Sequence, residues 1–217
     1  CISFSIAPHA PYTVSDSSFQ RARALADELE LPIHVHIHET ANEIRDSLAE
    51  HGMRPLARLA KLGVLGENLI GVHAVHLDHT DIELLAHHGC SVAHCPSSNM
   101  KLGSGMAPVT ELLAAGIRVG LGSDGAASNN NLDLFGEMSI AARYHKLKEG
   151  NPTVMDATVV TVMATVGGAR ALRLDAAIGS IEPGKAADLI LLDLSKPHLT
   201  PMYNPYSHLV YAASGSD

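Results

Sequence analysis

Residues 33–39 read Ile33-His34-Val35-His36-Ile37-His38-Glu39. β-Branched residues alternate with imidazoles, and this period of two specifies a β-strand with unlike faces. Pro32 in front and Glu39-Thr40 behind mark its ends. Three imidazoles on one face pack poorly in an ordinary core, because every buried ring nitrogen needs a hydrogen-bond partner. The same face suits metal ligation or proton transfer near neutral pH. Alone, the stretch fits hydrogen-bonded or solvated histidines as well as it fits a site. Its neighbours decide.

Working outward, four more segments read as strands running into a polar residue. Residues 2–7 lead to His9, residues 69–73 end in His73, residues 90–94 end in His94, and residues 117–122 lead to Asp124. Between them the periodicity predicts helices over about 17–30, 53–62, 78–88 and 108–116. Ser15 or Ser17 caps the first, Pro55 opens the second, Asp78 or Thr80 caps the third and Gly116 ends the fourth. Residues 40–52 read as a polar loop and residues 95–99 as a turn. The polar strand ends are 27, 37, 21 and 30 residues apart. That compares with about 31 residues per unit in a (β/α)8 barrel of roughly 250 residues, whose sites lie at the C-terminal strand ends. A doubly wound sheet would carry a glycine-rich turn after its first strand, and none is present.

The expected fold is therefore α/β, a partial TIM (β/α)8 barrel over residues 1–175 with further helices over 131–149 and 154–172. Residues 176–217 leave the βα repeat and read as part of a small β-sandwich with a tail. There residues 187–193 read as a strand, 203–206 as a loop and 209–211 as a short strand.

The composition narrows the function classes. The chain has 217 residues, 46% of them hydrophobic, enough for one large core. A formal charge of -8 without a basic run excludes a nucleic-acid surface. No apolar run approaches the roughly 20 residues of a membrane span. Three cysteines, Cys1, Cys90 and Cys95, have an odd count and no C-x-x-C spacing, which suits a reducing, cytoplasmic setting. Fourteen histidines beside three Phe and no Trp are the compositional oddity. The deaminase H-x-E…P-C-x-x-C, the H-E-x-x-H helix and the G-x-S-x-G elbow are all absent.

Six stretches together resemble one family. They are APHAPYTVS at 7–15, HVHIHET at 34–40, GVHAVHLD at 71–78, HCPSSNMKLGSG at 94–105, GLGSDGAASNN at 120–130 and GSIEPGKAADLILLD at 179–193. Nearly the whole chain resembles the metal-dependent amidohydrolase superfamily, and within it the 5′-methylthioadenosine/S-adenosylhomocysteine deaminases and related triazine hydrolases. The resemblance implies one divalent metal, zinc first and iron as the alternative, held by an H-x-H pair, a fifth-strand His and an eighth-strand Asp. It assigns His36 and Asp124 as metal ligands, Glu39 as proton shuttle, His73 beside the activated water and His9 as a substrate contact, with Glu39 also touching substrate. His34 and His38 share the alternation of His36, so the resemblance, not the period, selects the ligand. His76, His79, His87 and His88 read as structural or solvated, and His94 stays open. Ser97 and Asn99 read as turn formers and Cys95 as structural.

The implied reaction is hydrolytic deamination of the adenine ring of a purine nucleoside-type small molecule. Hydrolysis of another amino- or chloro-heterocycle and a non-catalytic partial-barrel scaffold are the alternatives. The H-x-H pair and the next two βα units have no counterpart here. The expectation is a fragment covering about strands 4–8, with weak metal binding. Its unpaired sheet edges invite a second copy or the absent half.

Overall fold

The computed structural model describes residues 3–217. Helix α1 (Asp16–Glu28) starts where the Ser18 N–H donates to Ser15 Oγ, and it buries Phe19 and Ala26. It leads into β1 (Ile33–Ile37), whose Ile33, Val35 and Ile37 are buried while His34 and His36 are half-buried. Then come α2 (Ala41–His51), α3 (Pro55–Lys61), β2 (Leu69–His73), α4 (His79–His87) and β3 (Ser91–His94). They are followed by α5 (Pro96–Leu102), α6 (Val109–Ala114), β4 (Arg118–Leu121), α7 (Ala126–Asn129) and α8 (Leu134–Glu149). Helices α9 (Ala157–Ala164), α10 (Val166–Ala171) and α11 (Pro205–Tyr211) complete the order.

The four strands form one parallel sheet in the order β1-β2-β3-β4, with Ile37 opposite His73 and His94 opposite Leu121. Neighbouring strands are consecutive in the chain and the order never reverses, as in a sector of a (β/α)8 barrel and unlike a doubly wound sheet. All four strands therefore present their C-terminal ends at one rim.

Two glycines set the packing. A Cβ on Gly71 would lie 2.2 Å from Ile37 Cδ1, so the β2 backbone makes room for that side chain. A Cβ on Gly120 would lie 2.9 Å from Gly168 Cα, where β4 and α10 meet backbone to backbone. Gly120→Ala is expected to destabilise the chain by about 1–3 kcal/mol, because no flexible side chain is there to give way. Urea unfolding with an unchanged midpoint would contradict that.

Several local expectations are corrected. Ile2, the start of the strand expected over 2–7, lies with Cys1 outside the described residues. Within the rest of that stretch only Ile6 pairs, as a single parallel bridge to Ile33. The expected loop at 40–52 is α2, closed by a capping box in which Thr40 and Glu43 bond each other's backbone N–H. The expected turn at 95–99 opens α5, with Pro96 at its first position. The helix expected over 154–172 is broken at Thr165 (φ -124°, ψ -107°) into α9 and α10. Residues 187–193 form no strand: apart from the Asp193 N–H donating to the Asp217 carbonyl at 3.3 Å they make no ladder among the described residues, and Ile190 and Leu191 stand exposed. Residues 209–211 are the end of α11, whose N-terminus is capped by Asn204 and whose Val210 is buried; α11 packs on α8 and α9.

No helix among the described residues is long and apolar enough to cross a membrane. Cys90 and Cys95 are free and buried, and burial pushes their thiols up to about 11 and about 12.

Candidate active site

The strand ends at the rim gather His36, His73 and Asp124, and one ligand-capable atom of each lies within 4.8 Å of the others. His36 points from β1, its ring stacked on that of His73 with centroids 5.4 Å apart. Its Nδ1 donates to the His9 carbonyl at 2.7 Å, which leaves Nε2 with a free lone pair. His73, the last residue of β2, is buried and donates from Nδ1 to Asn99 Oδ1 at 2.8 Å, so its Nε2 is likewise free. A ring nitrogen tied to an oxygen acceptor fixes the tautomer and aims the other nitrogen, an arrangement common behind metal-binding histidines.

Asp124 lies three residues beyond β4. Its Oδ2 accepts from Ser98 Oγ at 2.6 Å and its Oδ1 from the Gly125 N–H at 2.7 Å. Burial works against its ionisation. The bonds from Ser98 and Gly125, with His73 nearby, outweigh burial and hold the carboxyl below the usual carboxylate range. Asp124 is thus an anion across the neutral range.

Glu39 follows β1 by two residues. Its Oε2 is 3.8 Å from His73 Nε2, and Asp124 Oδ2 is 3.9 Å from the same nitrogen. Both carboxylates therefore face one imidazole. Ser104 Oγ donates to Glu39 Oε1 at 3.2 Å, and His76 Nε2 in turn donates to the Ser104 carbonyl at 2.7 Å. His9 is exposed, stands 5.1 Å from the His36 ring between centroids, and has its Nδ1 2.7 Å from Thr13 Oγ1. All five residues singled out in the sequence thus meet at one rim.

The remaining histidines separate. His38 does not continue the β1 alternation: its φ of 51° turns it off the strand into a buried pocket. There its Nε2 accepts the Leu56 N–H at 3.1 Å and its Nδ1 lies 3.2 Å from the His76 carbonyl. Burial holds it neutral, with a pKa pushed down to about 4 despite Asp81. His34 lines a different cavity, with Phe4, Arg23 and Asn68. His94 is buried against His145, Nε2 to Nε2 at 3.3 Å, and burial with that neighbour takes its pKa down to about 3.

Left-handed backbone at residues other than glycine is rare and costs about 1–3 kcal/mol per residue. Of eight such residues in the described chain, His38, His73, Ala74 and Asp124 lie at these strand ends. Strain gathered there is what a built site looks like.

Ser98, Asn99 and Ser104 belong to the site and were missed in the sequence. A turn over 95–99 gave no reason to aim Ser98 and Asn99 at a neighbouring strand end. Pro96, with Met100, Lys101 and Leu102 a turn further on, was the available sign of a helix start.

The chemistry of the donor set fits a divalent metal. Two imidazoles, each with one ring nitrogen tied to an acceptor and the other turned to the cluster, and a carboxylate held ionised are ligands suited to zinc.

Comparison with known proteins follows the same line. The amidohydrolase family profile matches residues 2–216. The 5-methylthioadenosine/S-adenosylhomocysteine deaminase of Syntrophobacter fumaroxidans is 50% identical over 216 residues, covering 100% of this chain and 49% of the relative. An adenosine deaminase from Xanthomonas campestris, solved with bound zinc, superposes with a TM-score of 0.94 at 49% identity, over 97% of this chain and 48% of that one. An atrazine chlorohydrolase variant from Arthrobacter aurescens, solved with zinc and atraton, gives a TM-score of 0.91 at 27% identity, over 96% of this chain and 46% of that one. The chain spans about half the length of the curated relatives it matches.

Proposed function

The chain belongs to the amidohydrolase family, and from that premise we propose that it carries the proton-transfer half of a hydrolase that deaminates the adenine ring of 5′-methylthioadenosine- or S-adenosylhomocysteine-type nucleosides. One observation carries the proposal: His36, His73 and Asp124 converge within 4.8 Å, with Glu39 beside His73. His36 and Asp124 are the proposed ligands of a divalent metal, zinc first and iron as the alternative, and the free Nε2 of His73 faces the same space, where the attacking water would sit. When bound, such an ion acts as a Lewis acid and lowers the pKa of water toward about 7.

The chain's own groups supply the remaining steps. Asp124, ionised and hydrogen-bonded, takes a proton from the attacking water, and His73 Nε2 holds that water by a hydrogen bond. As oxygen bonds to C6 of the ring, Glu39 gives a proton to the adjacent ring nitrogen. Glu39, now ionised, takes the proton of the C6 hydroxyl and passes it to the amino group, which leaves as ammonia as the C6 oxygen becomes a carbonyl; the proton held by Asp124 then returns Glu39 to its acid form. His9, exposed at the mouth and steadied by Thr13, is the proposed partner of a ribose hydroxyl. Residues 1–175 are proposed as the barrel portion and 176–217 as an appended segment whose α11 packs back on α8 and α9. Free buried thiols at Cys90 and Cys95 support a cytoplasmic setting. Sheet edges left open support pairing with a second copy or with the rest of a barrel.

An ammonia-release assay tests the reaction. The protein is a full-length chimera, with these 217 residues in place of the matched half of the Syntrophobacter relative. Nucleosides are expected to exceed free adenine by about 2- to 13-fold, because His9 is exposed and its bond to a ribose hydroxyl replaces one to water, a net gain of about 0.5–1.5 kcal/mol. Free adenine or guanine turned over faster than every nucleoside would overturn the assignment. A chlorotriazine as sole substrate would move it to the chlorohydrolase reading.

A further inference from the structure

We propose that Glu137, a residue of α8 with no contact to the proposed reacting groups, is a positioning residue whose buried carboxylate sets where Asp124 and His73 aim. The inference rests on reading His36, His73 and Asp124 as a metal site.

Glu137 is 1% exposed, an unusual place for a carboxylate unless its oxygens are fully used. Both are. Oε2 accepts the Ser97 N–H at 3.1 Å, and Oε1 accepts from Asn129 Nδ2 at 2.8 Å. The first bond caps α5 from outside. That helix has no side-chain cap of its own, and Pro96 has no N–H, so the Ser97 N–H is its first free donor. The next two residues of α5 touch the site: Ser98 Oγ donates to Asp124 Oδ2, and Asn99 Oδ1 accepts from His73 Nδ1.

The second bond reaches the site from the other side. Asn129 Nδ2 also donates to the carbonyl of Ser123 at 2.7 Å, and Ser123 is joined directly to Asp124. Asp124 holds a φ of 59°, a conformation that surrounding structure has to impose. One carboxylate thus pins both the helix that orients two site side chains and the loop that carries one of them. Only a group with two acceptor oxygens satisfies both donors. A glutamine would accept one and turn its NH2 toward the other.

The test is zinc binding by the full-length chimera, measured by chelator competition at a temperature where every variant is folded. Glu137→Gln is expected to raise the zinc Kd about tenfold, the lower range for loss of outer support to metal ligands. Ser98→Ala should raise it too. The double variant should fall short of the product of the two single effects, because part of the Glu137 effect runs through the Ser98 tie to Asp124. A merely structural glutamate would lower the thermal midpoint of the metal-free chain and leave the Kd unmoved. Should Glu137→Gln fail to fold, Asn129→Ala removes one tie and is expected to raise the Kd in the same direction. Wild-type affinity in folded Glu137→Gln or, where that variant does not fold, in Asn129→Ala overturns the inference, and so do fully multiplicative effects of Glu137→Gln and Ser98→Ala. A wild-type chimera that takes up no zinc overturns the metal reading beneath it.

Discussion

Glu39→Gln, made in the full-length chimera, is expected to lower kcat by about 10²–10⁴-fold, the usual contribution of a positioned acid–base group. Zinc content should not change. The amide has the shape of the carboxylate and can still accept from Ser104 Oγ, which is 3.2 Å from Glu39 Oε1. What it cannot do is receive a proton and give it away. The substitution therefore separates proton transfer from placement. KM should move little, because a ring hydrogen bond made equally in ground and transition states alters KM, whereas a transfer made only in the transition state alters kcat. Near-normal kcat in Glu39→Gln would remove the shuttle role from this residue and leave His73 as the remaining candidate.

The parts legible in the sequence are those where a local period and a packed position agree. Ile33, Val35 and Ile37 are buried in alternation, and the regular spacing of strand ends brought His36, His73, His94 and Asp124 to one rim. Period alone failed where the backbone changes hand: His38 reads as the third imidazole of a face, yet its positive φ sends it into the core beside Asp81 and Arg54. Helix α2 was illegible for another reason. It is a surface helix held by its Thr40–Glu43 box, with Glu43 its only buried residue, so no apolar stripe announces it. The opposite error occurred at 187–193. Leu189, Ile190 and Leu191 have strand chemistry, but a strand exists only against a partner, and none lies beside them in the described chain. Glu137 left no signal at all, since a glutamate in the first turn of a helix is ordinary on the surface. Its role comes from what α8 packs against.

The second large effect is expected from Asp124→Asn, and it should differ in kind from that of Glu39. Asparagine keeps the shape and one carbonyl oxygen, so Ser98 can still donate to it. The Gly125 N–H, now 2.7 Å from Oδ1, would face either that same oxygen or an NH2 group. More important is the lost charge. Asp124 is the one carboxylate in the His36–His73–Asp124 cluster, and burial already opposes its ionisation; the protein offsets that with hydrogen bonds from Ser98 and Gly125. Bonds arranged to hold a carboxylate ionised have no use around a neutral amide. Zinc affinity should therefore fall by more than the 10- to 100-fold typical of losing an outer support. Turnover should fall with it, because the same oxygen is the proposed acceptor of the water's proton. Adding zinc in excess separates the two losses: it restores occupancy in Asp124→Asn but leaves kcat depressed by at least about 10²-fold if the proton-acceptor role is correct. Full recovery of kcat at saturating zinc would confine Asp124 to metal binding and pass the water's proton to His73 Nε2, 3.9 Å away. Unchanged zinc affinity would remove Asp124 from the ligand set altogether.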